Sequence, residues 1–106
     1  MIRTLSLTLP LLAALAVPFA AGAAGDVDAG KSKAAMCAGC HGMNGIGVAP
    51  TFPDLAGKDA AYIETQLQAF KRGERQNPIM NNMVAGLTDA DIENLAAYFA
   101  SLPAKP

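Results

Sequence analysis

The 106-residue chain carries 8 Lys+Arg against 9 Asp+Glu, a formal net charge of −1, with 2 Cys and 1 His. That length gives one small domain, the charge balance excludes a strongly basic nucleic-acid binder, and two cysteines cannot build the multi-disulfide framework of many small secreted domains. Hydrophobic residues make up 52% of the chain but are unevenly spread.

Met1 to Ala24 holds one charge, Arg3, then Leu5, Leu7, Leu9, Leu11, Leu12, Leu15, Val17 and Phe19, before running into Ala20-Ala21-Gly22-Ala23-Ala24. A basic start, a short apolar region and an Ala21-x-Ala23 ending predict a secretory signal peptide over 1–23, leaving 24–106 as a single periplasmic domain. A retained membrane anchor fits less well, because Thr8, Pro10 and Pro18 interrupt a run already short for a span. Without Arg3 the remainder has 7 basic and 9 acidic residues. A soluble chain of ~80 residues buries little more than ~60% of its unfolded surface. The mature part has no Trp and only Phe52, Phe70, Phe99, Tyr62 and Tyr98 as aromatics, so a bulky cofactor is expected to supply core volume.

The remaining pattern predicts three main helices and two loops. The first helix is expected over Asp28–Met36, with Asp28 as N-cap and a small apolar face of Ala29, Ala34, Ala35 and Met36. The second spans Asp59–Arg72, where Ile63, Leu67 and Phe70 recur at i, i+4, i+7 and Gly73 is a natural stop. The third spans Thr88–Leu102: Thr88 and Asp91 resemble a capping box, Ile92, Leu95, Ala96 and Phe99 form the apolar stripe, and Pro103 ends it. Between them, 42–57 and 73–86 are rich in Gly, Pro and Asn and read as long loops, of the kind that wrap a ligand. No alternating β pattern or internal repeat is present, so the fold class is all-α.

The deciding motif is Cys37-Ala38-Gly39-Cys40-His41. Two thiols at i, i+3 project from one helix face and can add across the two vinyl groups of a haem, while the next residue offers an imidazole to the iron; C-x-x-C-H is the attachment signature of c-type haem. A thioredoxin-like dithiol would need a βαβ context, a structural zinc site would need four Cys/His ligands where the chain has three, and a plain disulfide would leave the adjacent His unexplained. His41 is the lone histidine, so bis-histidine ligation within one chain is excluded. Met80 and Met83 in the second loop are the candidates for the other axial position; a thioether is a soft ligand that raises the reduction potential relative to a second His. Met36 and Met43 sit too close to the attachment site to reach the opposite face easily.

Taken together, Cys37 to His41, Ala49-Pro50-Thr51-Phe52-Pro53-Asp54-Leu55-Ala56-Gly57, Pro78-Ile79-Met80-x-x-Met83, and Leu87-Thr88-Asp89 opening a helix with Leu95-Ala96-Ala97-Tyr98-Phe99 resemble class I c-type cytochromes. The resemblance is to the small bacterial periplasmic group, cytochrome c553 and one half of the dihaem cytochrome c4, and it covers the mature chain. It implies the class I cytochrome c fold around one covalently attached haem c, and a soluble one-electron carrier with His41 and Met80 as iron ligands, Met80 being the first Met of the pair. It further implies that the Pro50 carbonyl accepts the His41 ring N–H, that Phe52 and Leu55 pack on the haem, and that Gly30 lets the first and last helices cross closely against Tyr98 or Phe99. With one haem motif, the chain is expected to be a single-haem unit, monomeric or weakly homodimeric.

Partners are then redox proteins, met through weak, short-lived docking at an apolar rim of Gly39, Gly42, Met43, Ile46 and Val48. No acid/base pair or nucleophile constellation stands out, so no enzyme is predicted. The competing classes are a haem-based ligand sensor or small catalytic haem protein with a labile sixth ligand, and an electron-transfer subunit fixed within a complex.

Overall fold

The computed structural model describes residue 2, residues 4–8, residue 10 and residues 25–106; the predicted signal peptide falls on residues mostly outside these. Among the described residues five helices run in chain order: α1 (Val27–Lys33), α2 (Ala38–His41), α3 (Ala60–Lys71), α4 (Pro78–Val84) and α5 (Asp89–Ser101), with one turn of 3₁₀ helix, Ala34–Met36, between the first two. Among the described residues there is no strand, and no helix long and apolar enough to cross a membrane.

Asp26, not Asp28, opens α1. Its Oδ1 accepts the N–H groups of Asp28 and Ala29 at 2.8 and 3.1 Å, meeting two of the donors that a helix start leaves unpaired. Asp28 instead sits in the first turn, where its charge suits the positive end of the helix. The helix packs across α5 at close range. A Cβ added at Gly30 would lie 2.8 Å from Tyr98 Cβ, and one at Gly25 would lie 2.8 Å from Ala97 Cβ, so neither position has room for a side chain. The crossing is fastened by the Asp26 N–H donating to Asn94 Oδ1 at 2.8 Å and by Lys33 Nζ 3.5 Å from Asp91 Oδ2.

α3 and α5 form the other packed pair. Asp59 caps α3 through the Ala61 N–H at 2.8 Å, and Gly73, at φ +74°, ends it in the left-handed region that glycine occupies without a Cβ clash. α5 has the predicted capping box: Asp91 N–H donates to Thr88 Oγ1 at 3.1 Å and Thr88 N–H to Asp91 Oδ2 at 2.9 Å. Ile63 and Phe70 from α3 join Ile92, Leu95, Ala96, Tyr98 and Phe99 from α5 in one core, with Ala34, Val84 and Leu87. Leu67 is only partly buried, because it also lines the cleft described below.

The segment 73–86 is not a loop throughout. Residues 78–84 form α4, capped by Asn77, whose Oδ1 accepts from Ile79 and Met80 N–H at 3.0 and 3.1 Å. Pro78 occupies the first turn, where its missing N–H costs nothing and its fixed φ favours the helix.

Candidate haem site

Cys37 follows the 3₁₀ turn and begins the single turn of α2. The His41 N–H donates to the Cys37 carbonyl at 2.9 Å, which places both cysteines and the histidine on one short, tightly wound segment. Gly42, at φ +80°, ends that turn, and the chain then folds back on it: the Val48 N–H donates to the Cys40 carbonyl at 3.0 Å. The return is stitched further by Leu55 and Ala56 N–H on the Gly45 carbonyl at 2.7 and 3.0 Å, and by Gly47 N–H on Asp54 Oδ1 at 2.8 Å. Segment 42–57 is therefore a folded wall rather than a slack connection.

That wall fixes the histidine. His41 is buried, at 6% exposure, and its Nδ1 lies 2.8 Å from the Pro53 carbonyl oxygen. A carbonyl can only accept, so Nδ1 carries the proton and Nε2 keeps the lone pair available to a metal, the arrangement that metal-ligating histidines use. The acceptor is not Pro50, which the resemblance had put forward. Ala49–Phe52 is a β-turn, with the Phe52 N–H donating to the Ala49 carbonyl at 2.9 Å, and Pro50 lies exposed at its tip. Beyond the turn, the chain returns to set the Pro53 carbonyl against the ring. Phe52 meets His41 edge-on, with ring centroids 6.4 Å apart and planes at 67°.

A cleft of about 520 Å³ opens beside these residues. Cys37, Cys40 and His41 form one part of its lining, Phe52 and Leu55 come from the folded wall, and Leu67 and Phe70 come from α3. Met80 and Met83 both line it from α4, and Met36 lines it as well. Pro50 is not part of the lining. Arg75 is, with its guanidinium 4.7 Å over the Phe70 ring and 2.6 Å from Gln66 Oε1. Outside the cleft, Met43 and Val48 of the predicted apolar rim are 87% and 61% exposed.

The donor set fits covalent haem. The two thiols are unpaired, so no disulfide consumes them. Burial, and after it the neighbouring Cys40, pushes the Cys37 thiol above its ordinary range. Among the described residues no group of three or more His, Cys, Asp and Glu gathers as a metal cluster. What remains is one imidazole lone pair, two thiols and an apolar cleft.

An all-helical domain with a buried C-x-x-C-H histidine on an apolar cleft defines a c-type haem protein. The cytochrome c family model matches residues 27–103, and the chain belongs to that family. It is 42% identical over 81 residues to cytochrome c-554(548) of Halomonas halodenitrificans, covering 74% of this chain and 98% of that protein. It is 43% identical over 95 residues to cytochrome c4 of Pseudomonas aeruginosa, covering 90% of this chain and 47% of that one. The crystal structure of reduced recombinant cytochrome c4 from Pseudomonas stutzeri superposes with a TM-score of 0.71 at 41% identity, over 74% of this chain and 46% of that one. The chain thus spans nearly all of the first relative and about half the length of cytochrome c4. Its cofactor is haem c, with Cys37, Cys40 and His41 as the attachment sequence, and the protein is an electron-transfer cytochrome.

Among the residues of the site that carried no role in the sequence, Pro53 and Asn77 matter most. Pro53 lies in the 49–57 stretch that carries the resemblance, but which carbonyl meets the ring depends on the path of a turn. Asn77 followed by Pro78 is a helix-start signature that the surrounding Asn and Pro residues obscured.

Proposed function

We propose that the protein is a periplasmic one-electron carrier, exported with cleavage after Ala23, in which His41 and Met80 are the axial ligands of the haem iron. The observation that carries the reading is the placement of the two side chains. His41 is buried with Nδ1 committed to Pro53, leaving Nε2 as its free donor atom, and Met80 lines the same cleft from a separate element, α4.

When bound, the haem supplies an iron that cycles between the ferrous and ferric states. The chain's part is to keep that change small. His41 Nε2 and the Met80 thioether, each on a fixed element, would hold the iron through one nitrogen and one soft sulfur donor, and the sulfur would favour the ferrous form. The apolar lining excludes water, which limits reorganisation around the iron. Met43 and Val48 beside the attachment segment give redox partners an apolar surface suited to brief contact.

The ligand assignment is tested by the sulfur-to-iron charge-transfer band of the ferric protein. Met80→Ala is expected to abolish the band and to open the ferrous iron to CO, whereas Met83→Leu keeps both properties of the native protein. Loss of the band in Met83→Leu with its retention in Met80→Ala would move the ligand one turn along α4.

A further inference from the structure

A polar network at the junction of α3 and α4 centres on Asn81. Asn81 follows Met80 directly, and its carboxamide makes three hydrogen bonds. Oδ1 accepts from the Asn77 N–H at 2.9 Å, and Nδ2 donates to the carbonyls of Phe70 and Arg75, each at 2.9 Å. Asn77 in turn receives the Met80 N–H at 3.1 Å. One side chain therefore joins the last turn of α3, the connecting turn and the first turn of α4.

That anchorage matters because α4 has seven residues, too few to be stable by its own hydrogen bonds, and Val84 is its one buried residue. The connecting turn it is tied to is itself held to α3, with Arg75 N–H on the Ala69 carbonyl at 3.2 Å and the Arg75 guanidinium over Phe70. Only a carboxamide of this length offers one acceptor to Asn77 and two donors to the facing carbonyls. Alanine would leave all three backbone groups without this partner, and aspartate would set an anion against two carbonyl oxygens.

We propose that Asn81 is a positioning residue for the sixth ligand: its carboxamide fixes the first turn of α4 and so holds the Met80 thioether in place against competing ligands. The proposal rests on the assignment of Met80 as ligand. A ligand on a fixed element has a high effective concentration at the iron, and loosening the element lowers it without removing the sulfur.

The test is an imidazole titration of the haem-loaded ferric protein, followed by loss of the sulfur-to-iron band, in the native protein and in Asn81→Ala, Asn81→Asp and Ile92→Val. Ile92 is fully buried in α5, belongs to neither the Asn81 hydrogen-bond network nor the cleft lining, and serves as a control for general destabilisation. Asn81→Ala is expected to bind imidazole about tenfold more tightly than the native protein, and Asn81→Asp at least as much. Ile92→Val is expected to lower the thermal midpoint and leave the imidazole affinity unchanged. Unaltered affinity in Asn81→Ala, or an equal shift in Ile92→Val, would overturn the proposal. Failure of both Asn81 variants to fold with haem would also overturn it, by making the residue one the fold itself requires. A native ferric protein without the band would instead remove the Met80 assignment.

Discussion

At the residue scale, the site depends on which atom of His41 is taken. The Pro53 carbonyl at 2.8 Å fixes both the tautomer and the ring plane, and Phe52 at the ring edge limits its rotation. In the reduced protein a through-bond NMR coupling is expected between the His41 Nδ1–H and the Pro53 carbonyl carbon, with slow exchange of that proton. A coupling to Pro50 would contradict the geometry. The histidine was legible from five consecutive residues, because thioether attachment needs that spacing whatever the fold. Its acceptor was not, since Pro50 and Pro53 are equivalent candidates until the Ala49–Phe52 turn is known. Met80 and Met83 are a similar case: one helical turn apart, both line the cleft, and sequence spacing alone leaves either open.

At the element scale, the helices that were legible are those whose start signals and apolar stripes agree. Thr88 and Asp91 announced α5, and Ile92, Leu95, Ala96 and Phe99 confirmed its register. Helix α4 was hidden because seven residues hold too little periodicity to stand out among Asn and Pro. The α1 cap was misplaced by two residues because Asp26 and Asp28 are both acceptable caps, and only the local backbone decides between them. Where α1 meets α5, Gly30→Ala would set a Cβ against Tyr98 Cβ and the Asn94 carbonyl, and is expected to destabilise the protein by about 1–3 kcal/mol, read by denaturant unfolding. Unchanged or increased stability would mean that the two helices can part without loss.

The α5 cap also has a pH signature. The Thr88 backbone amide, with the Thr88 hydroxyl and the Lys33 ammonium, holds the Asp91 carboxyl below its usual range. A carboxylate lowered on folding contributes stability above its unfolded value, and that contribution is lost as pH falls through the folded one. Native stability is therefore expected to drop in acid more steeply than that of Asp91→Asn, compared by thermal unfolding at a series of pH values. Identical acid profiles for the two proteins would remove Asp91 as the source.

At the scale of the whole molecule, an all-helical chain of this size surrounds an apolar cleft of about 520 Å³ rather than closing on itself. The composition had pointed that way, since so short a chain with no Trp has little bulk for its core. The cleft is walled by the attachment segment with the 42–57 return that follows it, and by α3, α4 and, through Leu95 and Phe99, α5, so the residues that would hold the haem come from the length of the domain. Electron transfer without rearrangement requires both axial positions to be filled in both oxidation states. The most direct measurement is the absorption spectrum of the purified, reduced protein before and after addition of CO. A six-coordinate ferrous spectrum that CO leaves unchanged is the predicted result; a prompt shift on adding CO would show a labile or open sixth site and contradict the carrier account.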